Sequence, residues 1–126
     1  QMKLADTDMV LLPGGLGGVH SILASETSMN FIRLAYEKNC LIAAICAAPT
    51  ILASLHITDG RRATCYPGME DQMGTAQMIP CGAVQDGNVI TGRAAGSADE
   101  FGLACLRALK GEDTARQVAA DIVYRA

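Results

Sequence analysis

The sequence has no block of like charge, no internal repeat, no low-complexity tract and no linker-like stretch dividing it. Repeat arrays and disordered tails are thereby excluded, and 126 residues suit one domain with a real hydrophobic core. Charge of either sign is scarce: 18% of residues are charged and the formal net charge is -3. No basic surface for a nucleic acid is expected. The longest largely apolar run, Leu41 to Leu55, is shorter than the roughly 20 residues a bilayer span needs, and Pro49 interrupts it. No membrane association is expected either.

Histidine is nearly absent. His20 and His56 lack a His-x-x-x-His or Cys-x-x-Cys companion, so the spacings of a zinc site are missing and no metal is expected. The five cysteines, Cys40, Cys46, Cys65, Cys81 and Cys105, are odd in number and form no close pair. With no signal-peptide pattern at the start, this points to reduced thiols in a cytoplasmic setting. The start also lacks an initiator methionine, and "QMKLADTDMV" runs almost at once into a buried strand, as a fragment would.

What is present alternates between strand and helix. "DMVLLPGG" (8–15) reads as a short buried strand ended by Pro13 and the Gly14-Gly15 turn, with a helix to follow. From Ser25 to Asn39, residues Met29, Ile32, Ala35 and Tyr36 share one helical face, with Ser25 as N-cap. "LIAAI" (41–45) is apolar on both faces, as a strand covered from both sides must be, and "PTILASL" (49–55) supplies the next helix with Pro49 in its first turn.

Further on, "RATCY" (62–66) predicts a short strand, 67–80 a loop with one helical turn, and "GAVQDGNVITG" (82–92) a hairpin around Asp86-Gly87. Ser97 and Glu100 have capping-box spacing before a helix that presents Phe101, Ala104, Cys105 and Ala108 on one face and stops at Gly111. A last amphipathic segment, 113–124, turns Ala115, Val118, Ala119 and Ile122 toward a core. The pattern is α/β.

In "LIAAICAAP" (41–49), Cys46 stands where the buried strand gives way to a helix. Ligands of open α/β sheets gather at that end, and a helix N-terminus there favours the thiolate, the form that attacks carbonyls and is oxidised by peroxide. The small neighbours Ala43, Ala44, Ala47 and Ala48 leave room around the sulfur. The local pattern alone is equally consistent with a small core cysteine. Packing is the better reading of Cys40, Cys81 and Cys105, whereas Cys65 ends near the same rim as Cys46.

"DMVLLPGG", "LIAAICAAP", "GRRATCYPGMED" and "DGNVITGRAAGSADEFGLACLRALKG", in this order, resemble the ThiJ/PfpI family, in the branch of the parkinsonism-associated protein deglycase. The resemblance implies a flavodoxin-like, doubly wound, mostly parallel sheet. Residues 1–126 would be the C-terminal two thirds of a single such domain, with roughly 60 residues of N-terminal strands, about 30 per βαβ unit, missing or carried on another chain. It implies Cys46 as the reactive nucleophile and backbone N–H groups of Gly15 and Ala47 as an oxyanion hole. Gly14, Tyr66, Cys65 and His20 are further pocket candidates, although an exposed surface histidine is the more ordinary reading of His20.

Two departures from the family pattern matter. The acidic partner of the cysteine, a glutamate ending the first strand, has no counterpart in residues 1–12, and Tyr66 in "TCYP" replaces the histidine of a T-H-P segment. A Cys-His relay, as a cysteine protease needs, is absent, and so is the His-x-Glu pair of a glutamine amidotransferase. The implied activity is glyoxalase- or deglycase-like, on methylglyoxal or its adducts, without a cofactor. The alternative is a non-catalytic oxidative-stress sensor or chaperone using the same sulfur. A homodimer and a companion N-terminal peptide are the implied partners.

Overall fold

The computed structural model describes residues 8–121. Strand β1 (Met9–Leu12) leads through helices α1 (Leu16–Leu23) and α2 (Glu26–Glu37) to β2 (Leu41–Ile45) and α3 (Pro49–Ser54). Two-residue strands β3 (Arg62–Ala63) and β4 (Gln77–Met78) precede the hairpin β5 (Ala83–Asp86) and β6 (Val89–Gly92). Helices α4 (Ala98–Lys110) and α5 (Glu112–Asp121) follow. The main sheet has the order β1-β2-β6-β5, parallel except for the hairpin partner β5, and β3 pairs with β4 in parallel as a separate small ribbon.

Alternation along the central strand explains the layering. Ile42 and Ala44 join Val10, Leu12 and Val89 against Val19 of α1, Ile32 and Ala35 of α2 and Ile51 and Leu52 of α3. Ala43, with Ile45 at its margin, joins Ile90 on the other face against Phe101, Ala104 and Cys105 of α4. Both faces of β2 are therefore covered by helices, which is why its sequence is apolar without a period of two.

Local signals set several boundaries. The Ser25 hydroxyl accepts from the Ser28 N–H at 3.2 Å and caps α2. Pro49 sits in the first turn of α3, where its missing N–H costs nothing. Gly87, with φ 64°, turns the hairpin, and Gly111, with φ 94°, ends α4.

Four expectations change. β1 is less buried than its composition suggests: Leu11 is 49% exposed, because β1 is the last strand of the sheet among the described residues and only Met9 on that face packs against the cluster under α4. The strand expected over 62–66 is regular only at Arg62–Ala63, since the N–H groups of Thr64 and Tyr66 bond to the Thr91 hydroxyl and the Cys46 carbonyl instead of a ladder. The 67–80 segment has its helical turn at Glu70–Gln72 and also contains β4, where the Gln77 and Ile79 N–H groups donate to the carbonyls of Arg61 and Ala63. The capping box at Ser97 does not form: a 3-10 turn, Ala95–Ser97, runs straight into α4, so the Ser97 side chain bonds no helix N–H. In the last helix Ala115 is buried as expected, while Ile122 lies outside the described residues.

An apolar groove of about 310 Å³ runs beside β1, lined by Met9, Val10, Leu11, Leu12, Ile22, Ser28, Phe31 and Ile32. No strand among the described residues pairs with the outer edge of β1. Such an edge is a template for another strand.

Candidate active site

The parallel strands β1, β2 and β6 end together, and their C-terminal ends carry the three pieces of the site: Pro13-Gly14-Gly15, Cys46-Ala47-Ala48 and Gly92. Cys46 is the residue after β2. Its φ is +68°, a left-handed conformation that strains any residue with a Cβ by roughly 1–2 kcal/mol. Three contacts hold it there. The Cys46 N–H donates to the Gly92 carbonyl at 3.0 Å, and the Cys46 carbonyl accepts from the Tyr66 N–H at 2.7 Å. Gly14 packs so closely that a Cβ on it would lie 2.5 Å from the Cys46 Cβ and 3.3 Å from Sγ. A side chain at position 14 would displace the sulfur, so glycine is needed there for close approach.

The half-buried Cys46 opens onto a cavity of about 470 Å³ lined by Gly15, Leu16, Ala47, Tyr66, Pro67, Gly68, Met69 and Gln72 as well. Gly15 turns into α1 with φ 105°, a conformation open to glycine. Its N–H and that of Ala47 find no acceptor among the described residues, whereas the flanking Cys46 and Ala48 N–H groups bond to Gly92 and Ile45 carbonyls. Two donors are thus left for a ligand in a cavity containing a thiol.

The other sequence candidates are placed differently. Tyr66 is on the rim, 47% exposed. Gly14 stands behind the sulfur rather than on the cavity surface. Cys65 is 2% exposed and packs with Ala53, Ala63 and Met73, its thiol pushed up from 9.0 to about 11 by burial and then by the Glu70 and Asp71 carboxylates. His20 is exposed on α1 and does not line the cavity. Of the remaining thiols, Cys105 is buried under α4 and likewise pushed up to about 11 by desolvation, and the Cys81 thiol donates to the Ala83 carbonyl.

Sequence reasoning did not assign the wall formed by Leu16, Pro67, Gly68, Met69 and Gln72, nor the clamps at Gly92 and Thr91. The Pro67-Gly68 pair carries a turn signal, yet nothing local says that this turn walls the cavity beside Cys46 and Ala47. A second hollow, about 230 Å³, lies between β5 and α4 beside Glu100 and Arg107 and contains no thiol. Among the described residues no group of three or more His, Cys, Asp or Glu side chains is gathered to hold a metal ion, and no helix is long and apolar enough to cross a membrane.

Comparison with known proteins places this geometry in context. The model of the DJ-1/PfpI family matches residues 1–108. The chain is 40% identical over 114 residues to Protein dj-1beta of Drosophila melanogaster, covering 89% of this chain and 61% of that protein. It is 39% identical over 126 residues to the Parkinson disease protein 7 homolog of Danio rerio, covering 98% and 67%. The crystal structure of Drosophila melanogaster DJ-1beta superposes with a TM-score of 0.90 at 36% identity, covering 98% of this chain and 68% of that one. An isonitrile hydratase of Pseudomonas putida is 29% identical over 119 residues, covering 93% of this chain and 52% of that protein. The chain therefore spans about three fifths of the length of the first of these relatives. Its sheet with helices on both faces is the flavodoxin-like fold of these solved structures, and the chain belongs to the DJ-1/PfpI family.

Proposed function

We propose that residues 1–126 form the thiol-bearing part of a carbonyl-stress enzyme of glyoxalase or deglycase type, with Cys46 as nucleophile. The observation that carries this reading is the pairing of a strained, cavity-facing cysteine with two N–H groups, of Gly15 and Ala47, that no acceptor in the described fold takes. The Cys46 thiolate adds to the aldehyde carbon of an α-oxoaldehyde such as methylglyoxal; a C–S bond forms and the carbonyl π pair moves onto oxygen. That oxyanion is held by the Gly15 and Ala47 N–H groups. A proton then passes from the former aldehyde carbon to the adjacent carbonyl carbon, and water releases a hydroxy acid from the sulfur. The overall change adds one water and needs no external oxidant or cofactor.

The proton transfer needs an acid-base group, and among the described residues no carboxylate, histidine or lysine lines the cavity. The family resemblance assigns it to a glutamate on a strand upstream of β1. The unpaired β1 edge and its apolar groove fit such a strand, from the same polypeptide or a companion peptide. Homodimerisation and a cytoplasmic, thiol-reducing setting belong to the same reading.

A second reading, a redox sensor or chaperone, is favoured by one observation: a structural neighbour at 26% identity is Toxoplasma gondii DJ-1 in oxidised form. Here two molecules of peroxide would oxidise Cys46 to a sulfenate and then a sulfinate, each transferring one oxygen and leaving as water, beside the same two donors. Turnover separates the two. The intact protein incubated with methylglyoxal should produce lactate, and Cys46→Ser should not; equal rates from both would reject the enzyme.

A further inference from the structure

We propose that the Cys46 cavity selects reactants by charge, with Glu70 and Asp71 on its wall loop admitting uncharged carbonyl compounds that carry an apolar arm and turning away α-oxo acids and other anions. This rests on the carbonyl reading of the same site and adds the substrate class.

Among the described residues, no lysine, arginine or histidine lines the cavity. Its body is apolar, from Leu16, Pro67 and Met69, and its polar side chains, Tyr66 and Gln72, are neutral. A carboxylate entering it would lose hydration and find no counter-ion among these lining residues. The basic residues at the start of β3 are engaged elsewhere: the guanidinium of Arg61, just before the strand, donates to the Tyr36 hydroxyl and the Asp86 carbonyl, and Arg62 faces Asp86 and the Gln85 carbonyl.

Negative charge stands just behind the wall: Glu70 and Asp71 do not line the cavity but lie in the same loop, between its lining residues Met69 and Gln72. Glu70 Oε1 accepts the Gly68 N–H at 2.8 Å, and Gly68 lines the cavity. Asp71 follows in the same helical turn, Glu70–Gln72, which is anchored by the fully buried Met73. The Met69 and Tyr66 backbones close the loop through a 3.1 Å hydrogen bond. The reach of the two carboxylates is visible at Cys65, next to Tyr66 on the rim, whose thiol they help to keep protonated after burial has done most.

The test compares iodoacetamide with iodoacetate on the intact protein. The two reagents are of similar size, and in each the thiolate displaces iodide and forms one C–S bond, so only charge differs. The ratio of their rates at Cys46, followed by mass spectrometry, is normalised to the same ratio for 2-mercaptoethanol. A preference for iodoacetamide about tenfold above that of the free thiol is expected. It should fall about threefold for each of Glu70→Gln and Asp71→Asn, and should shrink in the unsubstituted protein as salt is raised to about 1 M. Gln at position 70 retains an oxygen to accept the Gly68 N–H, so the loop is preserved. A ratio equal to that of 2-mercaptoethanol, or one indifferent to both substitutions and to salt, would overturn the proposal. Selectivity is read on the thiol and not on turnover, so it stands or fails apart from the enzymatic reading.

Discussion

The Tyr66 N–H donates to the Cys46 carbonyl at 2.7 Å, tying the loop that walls the cavity to the strained residue that supplies its thiol. This backbone bond gives position 66 a role that its side chain does not share. Tyr66→Phe should leave the Cys46 alkylation rate within about twofold, whereas Tyr66→Pro, which removes the donor, should slow it and destabilise the fold by about 1–3 kcal/mol. Alkylation kinetics and denaturant melts of both variants check this. Equal behaviour would mean that the bond does not hold the elbow.

The two glycines before α1 should fail for different reasons. Gly14→Ala places a Cβ 2.5 Å from the Cys46 Cβ and 3.1 Å from the Ile45 carbonyl, so it should cost about 1–3 kcal/mol and suppress thiol reactivity. Gly15→Ala meets nothing within 4 Å but must adopt φ 105°, so it should cost about 1–2 kcal/mol through backbone strain alone. Paired melting and alkylation measurements separate the cases: the first variant loses reactivity out of proportion to stability.

Strain at Cys46 predicts a trade between function and stability. With φ at +68°, Cys46→Gly should be more stable than Cys46→Ala by about 0.5–1.5 kcal/mol, although both lose the thiol. Thermal or urea melts of the two variants decide it. An alanine variant as stable as the glycine variant would show that the elbow carries no strain.

Cys65 and Cys105 set an alkaline limit on the fold. Burial raises both thiols from 9.0 to about 11, with Glu70 and Asp71 adding to the effect at Cys65. The unfolded chain therefore releases these protons near pH 9 while the folded one keeps them. Their contribution is fully present below pH 9 and is lost as pH rises toward 11, so stability should fall across that window. Cys65→Ala should flatten the slope between pH 9 and 11 in denaturant titrations; an unchanged slope would remove Cys65 from the account.

The β1 edge predicts association. Residues 1–126 alone leave Leu11 half exposed beside an apolar groove, so they should self-associate or recruit a companion peptide. Leu11→Lys should reduce self-association in sedimentation experiments. A monomeric, cooperatively folded chain without any companion would contradict the proposed docking of a further strand.

The sequence made some of this legible and not the rest, for physical reasons. The doubly covered β2, the Ser25 cap, the Asp86-Gly87 hairpin and the Gly111 stop are encoded within a few residues of where they act, so local patterns reveal them. Cys46 at the strand end was equally visible, though its place as a reactive group came from family resemblance. The β3–β4 ribbon was not legible, because two-residue strands have no periodicity and owe their pairing to residues fifteen apart, Arg62 with Gln77 and Ala63 with Met78. The Ser97 cap failed because the preceding 3-10 turn, a feature of backbone geometry, replaced the extended entry that capping requires. The cavity wall at Pro67 to Gln72 depends on hydrogen bonds from Thr64 and Tyr66 to β6 and the elbow, contacts between segments far apart in the chain.

The central claim is that Cys46, the thiol among the described residues that lines the cavity, is presented for chemistry. Treating the intact protein with limiting N-ethylmaleimide near pH 7 and mapping the adducts by tandem mass spectrometry tests it most directly. Cys46 should be modified first, with Cys65 and Cys105 untouched until the fold is lost; first modification at any other cysteine, or an inert Cys46, would contradict the account.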